Sequence, residues 1–340
     1  MDLEQRISAF ISLGRTIQNA IENNEQNADF AKTLSRAEAK NPWFSPTYTT
    51  LALSEIAEFL EEKQFRSWVS KFSFRESKPQ RIAVITEGKT PFDSFPDVLG
   101  VLISGNILAV KPSDCDSILI SYLLLELISI EPQFTNNIEI HNGLLTQFDA
   151  IITPKTNGSF ERYLQKYPHI IRDEQTSIAI LHGDESDEDL KLLGNDIFTN
   201  YGLSKRNVTK IYMPDSFDEK KILDALEPYN YVTMHYKYMN NYEYNKSIYL
   251  VAQQTHLDNG FLILKEDVRL KSPLAVVFYE KYSDISQVQK TVENQKENIQ
   301  YIVSNKDLFY KKCIPFGSTQ QIDIEEYNKT IEFITNLTIL

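Results

Sequence analysis

Asn200-Tyr201-Gly202-Leu203-Ser204-Lys205-Arg206-Asn207-Val208-Thr209-Lys210 reads as a glycine turn that feeds a strand. The strand runs from Val208 to Met213, and Pro214 ends it. Short apolar runs of the same kind recur on both sides of it. Upstream they are Arg81–Thr86, Asn106–Lys111, Phe148–Ile152 and Ser177–Leu181. Downstream they are Gly260–Lys265, Leu274–Tyr279 and Ile299–Val303. Helical segments are expected between them, after Pro91 and over 116–128, 159–167, 218–226, 242–251, 286–297 and 323–335. Ile- and Val-rich strands that alternate with helices predict a parallel sheet with helices on its faces. Before the first strand, residues 1 to 75 read as helical, broken at Asn41-Pro42-Trp43-Phe44-Ser45-Pro46.

A chain of 340 residues, 42% hydrophobic, is long enough for two domains. The pattern breaks between Gly194 and Ser204, so a boundary is expected near residue 200. The longest apolar run, Ile118–Ile130, contains Ser121, Glu126 and Ser129, too short and too polar for a membrane span. The N-terminus has no basic region followed by an apolar one, so no secretory signal is expected. Cys115 and Cys313 form no disulfide framework and no metal cluster, and are expected to be reduced thiols of a cytoplasmic protein. The net charge of −12 argues against a nucleic-acid partner, which would need a basic surface.

Two loops follow strands of the first half. Glu87-Gly88-Lys89-Thr90-Pro91 offers a glycine and a helix start, where free amides favour an anion. Lys111-Pro112-Ser113-Asp114 leaves the carboxyl end of a strand, where open α/β sheets bind ligands. A lysine in such a loop is otherwise a solvated side chain. The five histidines stand at no zinc-ligand spacing, and no Gly-x-Ser-x-Gly elbow anchors a serine hydrolase. The segment from Tyr236 to Lys246, rich in Tyr and Asn, suits a pocket lining or a half-exposed helix start.

The Asn200–Lys210 stretch resembles the nucleophile segment of the acyl-CoA reductase family, which includes the fatty-acid reductase of bioluminescent bacteria. There it runs Gly-Leu-Gly-Cys-Arg-Asn-Val-Ser-Lys. The resemblance extends to Asn41-Pro42-Trp43-Phe44, Asp196-Ile197-Phe198, Asn240-Asn241-Tyr242, Leu257-Asp258-Asn259-Gly260-Phe261, Ser272-Pro273-Leu274-Ala275 and Pro315-Phe316-Gly317. It implies an aldehyde dehydrogenase-like α/β fold: a Rossmann-like parallel-sheet domain plus a second α/β catalytic domain. On this expectation residues 1–199 hold the helical segment and the cofactor-type domain, 200–319 form the catalytic-type domain, and a C-terminal helix at 320–340 returns to the first. The implied chemistry is reduction of an acyl thioester, on CoA or acyl-carrier protein, to an aldehyde by NADPH or NADH. A thiolate accepts the acyl group and hydride then releases the aldehyde.

Carried over residue by residue, Lys111 and Ser113 match the contact to the adenosine ribose and Glu266 the contact to the nicotinamide ribose. Pro154-Lys155-Thr156 matches the Gly-Ser loop against the pyrophosphate, with Lys155 in place of the glycine and Thr156 at the serine. Lys89 replaces the asparagine whose amide serves the oxyanion, and Lys205 replaces the nucleophilic cysteine. An amine that attacks a thioester leaves a stable amide, and an ordinary lysine is mostly protonated at neutral pH. Three expectations follow. The first is a degenerate family member that keeps acyl-thioester or carrier-protein contact and serves a partner enzyme. The second is a reductase that passes hydride directly to a bound thioester, with Lys89 or Lys205 as electrophilic donor. The third is an acyltransferase-like protein that uses Lys205. Association with a second copy is also expected, through Phe333–Leu340 as an edge strand or otherwise.

Overall fold

The computed structural model describes residues 1–23, 27–74, 78–143, 145, 147–155, 164–172, 174–306 and 313–337. The chain divides into two compact units, 1–173 with 322–340, and 174–321.

The first unit begins with four helices: α1 (Leu3–Glu22), α2 (Ala28–Lys40), α3 (Pro46–Phe59) and α4 (Glu62–Val69). Asp2 and Gln5 form a capping box at the start of α1, and Ser45 caps α3 ahead of Pro46. Behind them lies a parallel sheet of order β3-β2-β1-β4-β5. Its strands are β1 (Arg81–Ile85), β2 (Ile107–Lys111), β3 (Ile138–Ile140), β4 (Ala150–Pro154) and β5 (His169–Arg172). Ile82 stands beside Leu108 on one side and Ala150 on the other. The strand order reverses between β1 and β4, the crevice position at which open α/β sheets hold ligands. Helices α5 (Phe95–Ile103) and α6 (Ser117–Ile130) follow β1 and β2. The apolar run Ile118–Ile130 is thus an ordinary packed helix.

The last helix of the chain, α11 (Ile324–Leu337), belongs to this first unit. Tyr327, Ile331, Ile334 and Leu337 recur at helical spacing and are buried. That spacing overrides the expected edge strand: Phe333 to Leu337 continue the helix. A Cβ added to Gly100 would meet Thr330 Cγ2 at 2.6 Å, so glycine lets α5 approach α11. Arg172 pairs with Asp97, and Thr330 Oγ1 donates to Asp97 at 2.6 Å.

The second unit is built on a sheet of order β12-β11-β6-β7-β10-β9-β8. Its strands are β6 (Thr176–Ile180), β7 (Val208–Pro214), β8 (Leu257–Asp258), β9 (Ile263–Glu266), β10 (Val276–Tyr282), β11 (Ile299–Val303) and β12 (Cys313–Ile314). All pairs are parallel except the two-residue β8 against β9. Helices α7 (Asp187–Phe198), α8 (Lys220–Ala225), α9 (Tyr236–Val251) and α10 (Ile285–Gln295) connect them. The division falls at 173/174 where a boundary near 200 was expected. The reason is pairing: β6 lies between β7 and β11, in the middle of the second sheet.

Candidate functional site

Lys205 stands at the tip of a closed turn in the second unit, between α7 and β7. Asn207 N donates to Ser204 O at 3.0 Å, which makes Lys205 and Arg206 the two central residues. Ahead of the turn, Asn200, Tyr201 and Gly202 take φ values of 53°, 56° and 79° in succession. Each non-glycine residue in that region costs roughly 1–2 kcal/mol, so the surroundings must hold the path. Asn207, with no exposure, does so. Its Nδ2 donates to Asp196 O at 3.1 Å and Thr199 O at 3.0 Å, and its Oδ1 accepts from Ser204 N at 2.8 Å. Backbone strain of this kind is a mark of functional segments.

Other elements close on the turn. Ser177 N, at the start of β6, donates to Asn207 O at 3.1 Å. Arg206 Nη1 reaches Gln320 O and Gln321 O, each at 3.4 Å. The Tyr201 ring lies over His235 with centroids 4.2 Å apart. His235 caps α9 by accepting from Tyr238 N at 3.2 Å. The Tyr- and Asn-rich segment is mostly structural: Tyr242 donates to Asp258 at 2.6 Å, and Asn245 Nδ2 donates to Leu274 O at 2.9 Å.

The expected cofactor residues fall in two groups. Lys89, Lys111 and Ser113 come together in the first unit, at the carboxyl ends of β1 and β2. Ser113 N donates to Thr86 Oγ1 at 2.9 Å, and Gly88 at φ 69° lies against Ser113, where a Cβ would meet Oγ at 2.4 Å. Ser113 Oγ is buried without a hydrogen-bond partner, and Lys111 is half-buried. Lys89 is paired with Glu87. Lys155 is exposed just past β4, and Thr156 lies outside the described residues. Glu266 is exposed at the carboxyl end of β9, whereas Lys205 precedes the amino end of β7. The register sets Glu266 beside Tyr279 and Tyr279 beside Ile211, so Glu266 lies level with the middle of β7 and Lys205 lies before that strand begins. Cys115 is exposed in the first unit, and Cys313 is half-buried in the second, with Sγ 3.5 Å from Lys306 O.

The sequence reading missed a buried charge cluster beside Glu266. Lys210, with no exposure, donates to Asp267 O and, at 3.0 Å, to Glu280 Oε2. Burial pulls its pKa down, and Glu280 partly restores it. Lys265 and Arg269 both engage the Asp267 carboxylate, at 3.0 Å and 2.6 Å. Arg269 foremost, then Lys265, hold that carboxyl well below the usual range. Lys210, Phe278 and Lys265 lie in one row across three strands. The signal in the sequence was a lysine inside each of two otherwise apolar strands.

No protein-family profile matches the sequence, and no curated protein matches it. Solved structures do match in fold. Aldehyde dehydrogenase 21 from Physcomitrella patens, solved with its reaction product succinate, aligns at TM-score 0.68 and 15% identity, over 96% of this chain and 80% of that one. Betaine aldehyde dehydrogenase from Staphylococcus aureus, solved with NAD+, aligns at 0.64 and 12%, over 98% and 73%. An aldehyde dehydrogenase from Mycobacterium tuberculosis complexed with NAD+ gives 0.63 and 12%, over 96% and 76%. The expected fold class is therefore the observed one: an aldehyde dehydrogenase-like α/β fold, with a Rossmann-like parallel sheet and a second sheet domain.

Two of these neighbours carry NAD+, and the residues of this chain fit such a dinucleotide only in part. The adenosine end fits, since Lys111, the unpartnered Ser113 Oγ and the Gly88 turn gather at the carboxyl ends of the adjacent strands β2 and β1. The remainder does not. In the first unit Lys155 carries an exposed side chain at the position where the resemblance expects a glycine, and in the second Glu266 lies level with the middle of β7, beyond the Lys205 turn. Among the described residues no cluster of His, Cys, Asp or Glu could hold a metal ion. No described helix is long and apolar enough to cross a membrane.

Proposed function

We propose that this chain is an acyl-thioester-handling protein of the acyl-CoA reductase type that has lost sulfur-dependent reduction. One observation supports the reading: the segment that resembles the family's nucleophile stretch forms a strained, closed turn with Lys205 at its tip. Such a turn costs stability, and the fully buried Asn207 is spent on holding it. A fold that kept it while changing the reacting atom has kept the approach of the acyl group and abandoned the covalent relay. Were the Lys205 amine to attack a thioester, the C–N bond would form, the C–S bond would break and the thiol would leave. The amide that remains is not a substrate for hydride transfer. Lys89, committed to Glu87, is a poor replacement for a neutral amide donor.

The partner is then acyl-CoA or acyl-carrier protein, and the role is to bind, scaffold or regulate a partner enzyme in the cytoplasm. The experiment is acyl-CoA titration by calorimetry, beside an assay of NADPH and NADH oxidation. Binding without oxidation is the expected pair of results. Oxidation that is lost in Lys205→Ala would overturn the reading in favour of a working reductase.

A further inference from the structure

Three polar residues with no exposure, Asp196, Asn207 and Thr319, lie behind the Lys205 turn. Asp196 is in the last turn of α7, the negative end of that helix. Among the described residues no cation forms an ion pair with it. Its two carboxylate oxygens work separately: Oδ2 accepts from Gly317 N at 2.7 Å and Oδ1 from Thr319 N at 3.0 Å. Its main-chain oxygen accepts from Asn207 Nδ2 at 3.1 Å. One residue therefore joins the turn to the 317–319 backbone. Arg206 fastens the same stretch from beside Lys205, through Gln320 O and Gln321 O.

We propose that Asp196 is the positioning residue of the Lys205 turn, a buried clamp that fixes how far the Lys205 amine is open to reagents. The clamp stands on geometry in this unit; that its ligand is an acyl thioester rests on the function proposed above. Its release depends on pH in a definite sense. Burial pushes the Asp196 carboxyl up from 3.8 to about 6, and the amides of Thr319 and Gly317 offset part of that rise. The closed clamp thus binds a proton more tightly than hydrated Asp196 would. By linkage, falling pH favours the closed form, and rising pH through about 6 favours release. The titratable groups nearby are Tyr229, whose hydroxyl goes to Lys191 O and Asn195 Oδ1, and Arg206. Burial pushes Tyr229 up to about 12, so its hydroxyl stays protonated near pH 6.

The test is amide hydrogen exchange followed by mass spectrometry from about pH 5 to about pH 8, corrected for intrinsic rates, on the chain with no ligand. In the wild type, protection of Gly317 and Thr319 falls several-fold as pH rises through about 6, and the 199–207 turn follows. In Asp196→Asn the amide cannot accept from both backbone N–H groups. The pH step disappears, and amine labelling of Lys205, relative to exposed Lys63, rises at least about threefold. A wild type with no step near pH 6 overturns the proposal without any variant. So does an Asp196→Asn protein with the wild-type step and wild-type labelling. Because no acyl donor is used, failure here leaves the acyl-thioester reading standing, and failure of that reading leaves this result interpretable.

Discussion

Glu266 ends β9 of the second sheet, whereas Lys205 lies in the turn that precedes β7 of the same sheet. The row of Glu266 meets β7 at Ile211, three residues beyond Val208, so at least about 10 Å of strand separates it from the Lys205 turn. The chain leaves β9 at its carboxyl end and returns through residues 267–275 to begin β10 beside it. Glu266 is therefore predicted to have no part in acyl-thioester binding. Glu266→Gln should leave the acyl-CoA dissociation constant within about twofold by calorimetry, since it is an exposed residue away from the turn. A loss beyond about tenfold, about 1.4 kcal/mol, would place it in the acyl-thioester site.

On the proposed function, Lys205→Cys places a thiol at the tip of a turn suited to present one. If the turn geometry is intact, this variant should gain the mass of one acyl group when incubated with acyl-CoA, and hydroxylamine should remove it. The wild type should show no hydroxylamine-labile adduct. A hydroxylamine-stable adduct on Lys205 in the wild type would instead identify an acyl-accepting lysine.

Gly194 is the point where α7 meets the aromatic support of the turn. A Cβ there would stand 2.1 Å from Tyr229 Cε2. Tyr229 stacks on Phe198 at 5.2 Å and donates to Asn195 Oδ1 at 2.8 Å. Gly194→Ala should cost about 2 kcal/mol or more in urea unfolding, within the usual range for overpacking. A change under about 0.5 kcal/mol would show that Tyr229 has freedom the packing denies it.

Two aspartates of the second unit should titrate in opposite senses. Asp267, held low by Arg269 and Lys265, contributes stability that is complete above its ordinary value of 3.8 and is lost as pH falls through the depressed one. Asp196, raised to about 6, contributes in the other direction: its share is complete below 3.8 and lost as pH rises through about 6. Urea midpoints of Asp267→Asn should fall less steeply than the wild type on the acid side. Those of Asp196→Asn should fall less between about pH 4 and about pH 6. Parallel curves for either variant and the wild type would contradict its assignment.

The sheets were legible because their central strands are continuous Ile and Val runs bounded by turn residues. Ile82, Val84, Leu108, Val110, Ile178 and Ile180 all have no exposure. β3, β8 and β12 have two or three residues each and form only because a longer strand lies beside them, so no local pattern announces them. β5 was hidden in Tyr167-Pro168-His169-Ile170-Ile171-Arg172, where its strand signal is two residues long. The Lys205 turn was legible from Gly202 and its neighbours. How it is held was not: the fold buries Asn207 against the carbonyls of Asp196 and Thr199, and sets the Asp196 carboxylate under the amides of Gly317 and Thr319, far off in sequence. The place of Glu266 at the carboxyl end of β9 was not legible either, because the short return between β9 and β10 cannot be read from spacing.

The most direct test of the central claim is reduced-nicotinamide absorbance in a mixture of the purified chain, NADPH or NADH, and acyl-CoA of short, medium or long chain. Calorimetry on the same preparation shows whether acyl-CoA binds. The account predicts binding with no oxidation of either nucleotide above the rate without protein. Steady oxidation with release of an aldehyde would contradict it.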